Sequence, residues 1–323
     1  MRIAIEMDAY GDPDVLRPVE RPDWEPGPGE VVVQAACAGV NRADLFIRSG
    51  EWPQGGSFPY VPGLEVAGTV AALGAGVTDL SIGDPVITMM QHLGGIHGTR
   101  PGGYQSHVLV PADTLARLPA GFDPLTAGAL GLPAVTALLA LEVLDVRAGH
   151  RVLVHAGSSA VGLMAIQLAA HAGAEVIATG TSPAKFDLMR SAGASATLST
   201  RDPDWPTRAG DLDRAFDLVG AATFAPTVAA LRPGGRLIFV GGTSGADLSF
   251  SGWALMRPTT ITGYSSESLT RAELARAIAA IAHRHKEGTL RPLALTEFPL
   301  RAAATAHRTL ASGSVAGRLI LRS

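Results

Sequence analysis

The segment from Arg151 to Ala170 constrains the fold more than any other. Arg151-Val152-Leu153-Val154-His155 is a short apolar run of strand type. Ala156-Gly157-Ser158-Ser159-Ala160-Val161-Gly162 follows, and then an apolar helical run from Leu163 to Ala170. A strand that enters a helix through small residues lets the backbone come close to a pyrophosphate. The helix start then aims free N–H groups and a partial positive charge at it. Ser159 stands where the usual middle glycine of such a fingerprint would be. The flanking strand and helix therefore carry the reading more than glycine spacing does. A tight strand-to-helix turn with no ligand is the bland alternative.

The surrounding chain supports a parallel sheet. Arg151–His155, Glu175–Thr179, Phe216–Val219 and Gly235–Val240 are candidate strands, with helical stretches near 159–171, 183–192 and 222–231 between them. This alternation predicts a doubly wound α/β domain over 123–261. Residues 1–122 have a different texture, with short β-type runs such as Glu30–Gln34 and Gly68–Ala71 separated by Gly/Pro turns. That predicts a small, irregular, β-rich domain. An Arg/Ala-rich helix near 270–286 and a last strand, Arg318–Leu321, follow Ile261.

The second strand of the α/β domain bears on the cofactor. A carboxylate about 20 residues after the fingerprint would hold the ribose 2′-OH of NAD. The chain instead reads Ala178-Thr179-Gly180-Thr181-Ser182-Pro183-Ala184-Lys185, and no carboxylate appears before Asp187. Hydroxyls and a cation suit a 2′-phosphate, so NADPH is expected over NADH, with Gly180, Ser182 and Lys185 at the site. The alternative is that Ser182 caps the next helix and Lys185 is a solvated surface residue.

Composition excludes several other classes. Hydrophobic residues make up 47% of the 323, enough for a large core, and the net charge is −3. A nucleic-acid or anionic-membrane binder is not expected from that charge. The single cysteine, Cys37, forbids an intrachain disulfide or a multi-thiolate zinc site. A reducing cytoplasm fits it. The Met1–Glu6 start lacks the apolar stretch of a signal peptide. The most membrane-like run, Leu125–Leu141, contains Gly128, Gly131 and Pro133 and falls short of a span, so a buried helix is expected.

The chain resembles the medium-chain dehydrogenase/reductase superfamily, specifically its zinc-free quinone oxidoreductase branch. The resemblance runs the whole length. It is carried by Ala38-Gly39-Val40-Asn41-Arg42-Ala43-Asp44-Leu45-Phe46-Ile47-Arg48-Ser49-Gly50, by Pro59–Val70, by the turn at 156–162, by Leu231–Arg236 and by Gly317–Leu321. It implies a GroES-like catalytic domain (1–122 and 262–323) and a Rossmann NADPH-binding domain (123–261). Zinc relatives have a catalytic Cys where this chain has Asn41 and a zinc-binding His where it has Leu64. No metal site is therefore expected. His92, His97 and His107 show no ligand pattern, and Glu65 is expected to be structural.

The resemblance also distributes the site. It implies that Asn41 lies at the floor of a cleft between the domains, near the nicotinamide ribose and the substrate; an Asn closing a local turn is the alternative. Asp44 and Arg48, spaced i, i+4, predict a structural ion pair. Trp52 either stacks on a flat acceptor or is ordinary packing, and Tyr104 either lines the cleft or packs in the core. Relatives have an arginine near the adenosine phosphate where this chain has Arg201, for which a solvated loop cation is the alternative. Gly241, Gly242 and Thr243 follow one strand, and Tyr264 and Ser265 the next, at the implied nicotinamide pocket. His283 and His285 are expected at the surface.

A nicotinamide hydride adds readily to an already electrophilic carbon, so quinones and α,β-unsaturated carbonyls suit a site without a metal or an evident acid. An enoyl-thioester or other pathway-specific C=C reductase is the nearest alternative. Trp52 replaces the tyrosine those enzymes carry. A non-catalytic nucleotide-binding protein is the alternative of another class. The resemblance further implies a homodimer joined at the edges of the nucleotide-binding sheets, near Gly235–Val240 and Thr260–Tyr264.

Overall fold

The computed structural model describes residues 1–52, 57–91, 93 and 99–323. His92 and His97 lie outside the described residues. In chain order the strands and helices are β1 (Arg2–Glu6), β2 (Arg17–Arg21), β3 (Glu30–Val40), α1 (Arg42–Ser49), β4 (Glu65–Leu73), β5 (Pro85–Met89), β6 (His107–Pro111), β7 (Ala116–Arg117), α2 (Pro124–Leu144), β8 (Arg151–Val154), α3 (Ala160–His171), β9 (Glu175–Gly180), α4 (Phe186–Ser191), β10 (Ala196–Ser199), α5 (Trp205–Ala209), β11 (Leu212–Asp217), α6 (Phe224–Ala230), β12 (Leu231–Phe239), β13 (Thr260–Gly263), α7 (Arg271–Lys286), β14 (Leu295–Pro299), α8 (Ala303–Ala311) and β15 (Arg318–Arg322).

The chain divides into two compact units. One comprises Met1–Leu132, Ser266–Lys286 and Pro292–Ser323, and the other Pro133–Ser265 and Glu287–Arg291. The limit at Leu132 falls beside a break inside α2, where Gly131 leaves helical geometry (φ 31°, ψ −140°). Pro133 stands two residues on; it has no N–H to donate within the helix and its ring crowds the carbonyl four residues back, which breaks the helix here. α2 is the one described helix long and apolar enough for a membrane span, and it is mostly buried within the protein.

The first unit is built on a seven-stranded sheet in the order β14-β15-β3-β4-β5-β7, with β6 also paired to β3. Most of its pairings are antiparallel, and β14–β15 is parallel. Val31, Val33 and Ala35 alternate along β3 onto one face, where Val66, Val70, Val86, Val108 and Val110 meet them. The period-2 pattern thus selects the buried face. This is the expected GroES-like β-rich domain.

The second unit holds a six-stranded, wholly parallel sheet in the order β10-β9-β8-β11-β12-β13. That is the Rossmann order 3-2-1-4-5-6, whose reversal of direction lies between its first and fourth strands. Here those strands are β8 and β11. Phe216–Val219 is corrected: the strand is Leu212–Asp217 and 218–219 belong to the following turn. Its sequence Leu-Asp-Arg-Ala-Phe-Asp hides a strand buried at every residue, because its charges are locally matched. Asp213 accepts the Arg151 N–H at 2.7 Å and pairs with Arg232. The edge strands of this sheet are β10 and β13; β12, expected with β13 at a dimer edge, is paired on both sides.

Candidate active site

In an open parallel sheet, ligands bind beyond the carboxyl ends of the strands at the switch point. The turn after β8 lies there. Ala156 adopts φ 48°, and Ser159 caps α3 by accepting the Gly162 N–H at 3.1 Å. A side chain on Gly162 would collide with the Ala156 carbonyl, and one on Gly157 would meet Met189 Sδ at 2.6 Å. These glycines serve close packing of helix on strand. Ser158, Ser159, Ala160 and Val161 are exposed or half-buried at the helix start, where the first N–H groups of a helix have no intrahelical partner. No carboxylate occurs from 156 to 162. The segment fits a pyrophosphate.

Backbone hydrogen bonds gather the other expected cofactor residues at the same sheet edge. Gly157 N–H donates to Thr179 at 2.8 Å, and Thr200 N–H donates to Gly180 at 3.1 Å. The second bond sets the end of β10, and Arg201 beyond it, alongside the end of β9. Ser182 is exposed at the start of a short turn, Pro183–Lys185, and its side chain makes no capping bond. Arg201 is exposed, with its backbone N–H on Ser199 Oγ at 3.2 Å. Tyr264 N–H donates to Phe239 at 3.0 Å, and Thr243 Oγ1 donates to the Leu218 carbonyl at 3.2 Å. The segments holding Gly241, Gly242, Thr243, Tyr264 and Ser265 are thereby tied to the turns after β11 and β12.

Beneath this edge runs a buried polar chain that sequence reasoning missed. Thr227 Oγ1 donates to the Thr223 carbonyl at 2.6 Å. Its hydrogen is thus committed, and it accepts from His155 Nε2 at 2.7 Å. His155 Nδ1 then accepts from Thr179 Oγ1 at 2.6 Å. Two hydroxyls so define one neutral tautomer. Burial alone pulls His155 down to about 3, which keeps it neutral. The signal was a polar residue closing three neighbouring strands, His155, Thr179 and Asp217.

In the first unit, Asn41 precedes α1. Its backbone N–H donates to Asp44 Oδ2 at 2.8 Å. Its side chain is held from both ends: Nδ2 donates to Glu65 Oε1 at 3.0 Å and Oδ1 accepts from Arg318 at 2.8 Å. Arg318 and Glu65 form an ion pair, both essentially inaccessible to solvent. Glu65 also accepts the Leu132 N–H at 2.8 Å. Arg318 was not anticipated as a partner, since its sequence position lies far from Asn41.

The expected Asp44–Arg48 ion pair is absent. Asp44 reaches back to the first residue of its helix, as a capping-box carboxylate does, and cannot also point a turn forward. Its full burial pushes its carboxyl up to about 6. Of the two readings of Tyr104, the structure has the core one. It is fully buried, and its hydroxyl meets His307 Nε2 at 3.1 Å. Burial pulls His307 down to about 3. Trp52 is half-buried and packs on Phe46, centroids 5.7 Å apart at 35°.

The zinc pattern of dehydrogenases does not fit these residues. Leu64 is buried and cannot ligate, Asn41 is engaged by Arg318 and Glu65, and Cys37 is a lone buried thiol pushed up to about 11 by burial. Among the described residues no three His, Cys, Asp or Glu side chains converge as a metal set.

Residues 27–120 match the family described as alcohol dehydrogenase GroES-like domain, and 160–283 that described as zinc-binding dehydrogenase. The quinone oxidoreductase of Sus scrofa is 30% identical over 98% of this chain and 97% of its own length. That of Pseudomonas aeruginosa is 31% identical over 98% of each. A crystal structure of Escherichia coli quinone oxidoreductase complexed with NADPH superimposes with a TM-score of 0.89 at 27% identity, covering 99% of this chain and all of that one. Fold, turn and full-length similarity agree: the chain belongs to the quinone oxidoreductase branch of the medium-chain dehydrogenase/reductase superfamily.

Proposed function

We propose that the protein reduces quinones or small α,β-unsaturated carbonyls with NADPH and without zinc. The observation that carries the cofactor choice is the end of β9. Gly180, Ser182 and Lys185 lie there with Arg201 alongside, and no carboxylate precedes Asp187. The complex of the Escherichia coli relative with NADPH supports it. NADPH supplies a hydride from C4 of its nicotinamide.

The residues divide the remaining work. The N-terminal turn of α3 (Ser158–Gly162) holds the pyrophosphate, and Ser182, Lys185 and Arg201 hold the 2′-phosphate. Gly241, Gly242, Thr243, Tyr264 and Ser265 fix the carboxamide through backbone groups. Asn41 donates a hydrogen bond to the acceptor's carbonyl oxygen as negative charge develops there. Trp52, on its Phe46 support, offers an apolar face to a planar acceptor. Tyr104 supports α1 from the core.

In this reading the Rossmann domain (123–261) binds the cofactor, and the GroES-like domain (1–122 and 262–323) serves the acceptor. A cytoplasmic homodimer completes it. The unpaired edge of β13, with Trp253 and Met256 at 80% and 76% exposure nearby, supports edge-to-edge association. NADPH deuterated at C4, mixed with a small enone, tests the chemistry. Deuterium is expected on the β-carbon of the saturated ketone, with the α-hydrogen from water. Consumption of NADPH without label in the ketone, or no consumption with enone or quinone, contradicts the proposal.

A further inference from the structure

An asparagine amide can usually turn over, exchanging its donor and acceptor ends at little cost. Asn41 cannot. Its Oδ1 faces a guanidinium, which only donates, at 2.8 Å. Its Nδ2 faces a carboxylate, which only accepts, at 3.0 Å. Turning the amide over would set NH2 against a cation and a carbonyl against an anion. The clamp is itself fixed. Glu65 is held by the Leu132 N–H and by Arg318, and Arg318 also donates to the Val40 carbonyl at 3.1 Å. A side chain on Gly39 would occupy the space of both charged groups, and one on Gly131 would meet Glu65. These two glycines leave room for the pair.

One Nδ2 hydrogen is used by Glu65, and the other has no partner among the described residues. We propose that Glu65 and Arg318 are positioning residues. They select the one orientation of Asn41 in which that remaining N–H, rather than the carbonyl, is offered to an electron-rich oxygen of the substrate. The inference rests on the role given to Asn41 above. It adds that the buried ion pair sets substrate class: acceptors whose reacting system ends in a carbonyl oxygen are favoured over donors of hydrogen bonds at that point.

Two variants separate this inference from the reading beneath it. Asn41→Ala removes the donor. Glu65→Gln combined with Arg318→Met removes both charges together, so neither is left buried alone, while Gln keeps a carbonyl for the Leu132 N–H. Each is assayed for kcat and KM with an enone, for NADPH binding and for its melting midpoint. Both variants are expected to lose about 10²-fold in kcat. The double variant should keep its melting midpoint and its NADPH affinity, a split that a purely structural pair would not give. Full kcat in the double variant with a loss in Asn41→Ala overturns the positioning role and leaves the reading of Asn41 standing. Full kcat in Asn41→Ala overturns both. Should the double variant not fold, the side-chain amide signals of Asn41 in the selectively labelled wild-type protein decide. A single pair of distinct N–H resonances is expected, and two interconverting sets overturn the proposal.

Discussion

His155 donates from Nε2 to Thr227 Oγ1 at 2.7 Å, joining the end of β8 to helix α6 beneath the cofactor edge. The contact is fully buried, and Trp205 meets the imidazole edge-on with centroids 5.0 Å apart. His155→Ala would leave a cavity and strand the hydroxyl of Thr179. A loss of about 3 kcal/mol is expected, read from urea unfolding. A loss near zero would mean that the chain of hydroxyls is rebuilt around the gap.

Acid should weaken the fold through two histidines. His155 and His307 are both held near 3 in the folded chain, against an ordinary 6.5. Between those values the unfolded chain binds protons that the folded chain refuses. Their contribution is therefore complete above 6.5 and is lost as pH falls towards 3. Asp44 opposes this: its carboxyl at about 6, against an ordinary 3.8, favours the folded state at low pH and loses that effect as pH rises through 6. With two histidines against one carboxyl, stability should fall from pH 6.5 to pH 4. The fall should be shallower in His155→Gln. Unfolding free energies measured at several pH values check this, and an equal slope in both proteins would refute it.

Gly39 admits no side chain. Gly39→Ala should cost roughly 4 kcal/mol or prevent folding, since the added methyl displaces a buried ion pair. Soluble expression and thermal unfolding report the outcome, and an unchanged melting midpoint would contradict the packing described for Arg318 and Glu65.

Cofactor choice should follow charge at the end of β9. Ser182→Asp sets a carboxylate against the 2′-phosphate and gives the ribose of NADH an acceptor. NADPH affinity should fall about 10- to 100-fold, the value of one to two charged hydrogen bonds, while NADH affinity holds or rises. Titration of cofactor fluorescence measures both. Equal losses for both cofactors would place the 2′-phosphate elsewhere.

The strand and turn that open the parallel sheet are legible because their signals are local. Arg151–Gly162 is a contiguous strand and turn, and the missing carboxylate before Asp187 is read directly. The bounds of β11 are not legible in the sequence because Asp213, Arg214 and Asp217 break the apolar run, and only tertiary partners make them compatible with burial. The network around Asn41 was half legible. Asn41 and Glu65 stood in recognisable motifs, but Arg318, far along the chain, shows its role only after β15 pairs with β3. Helical spacing points Asp44 to Arg48, but the competing bond to the helix start prevails. Tyr104 and His307 meet across many residues, and no local pattern announces such a contact.

The reaction proposed is a metal-independent transfer from NADPH to a conjugated carbonyl. Its most direct test compares kcat/KM for NADPH and NADH with a simple quinone, before and after exhaustive treatment with a chelator. Rapid oxidation with NADPH preferred, unaffected by the chelator, is expected. Loss of activity on chelation, or a preference for NADH, would contradict it.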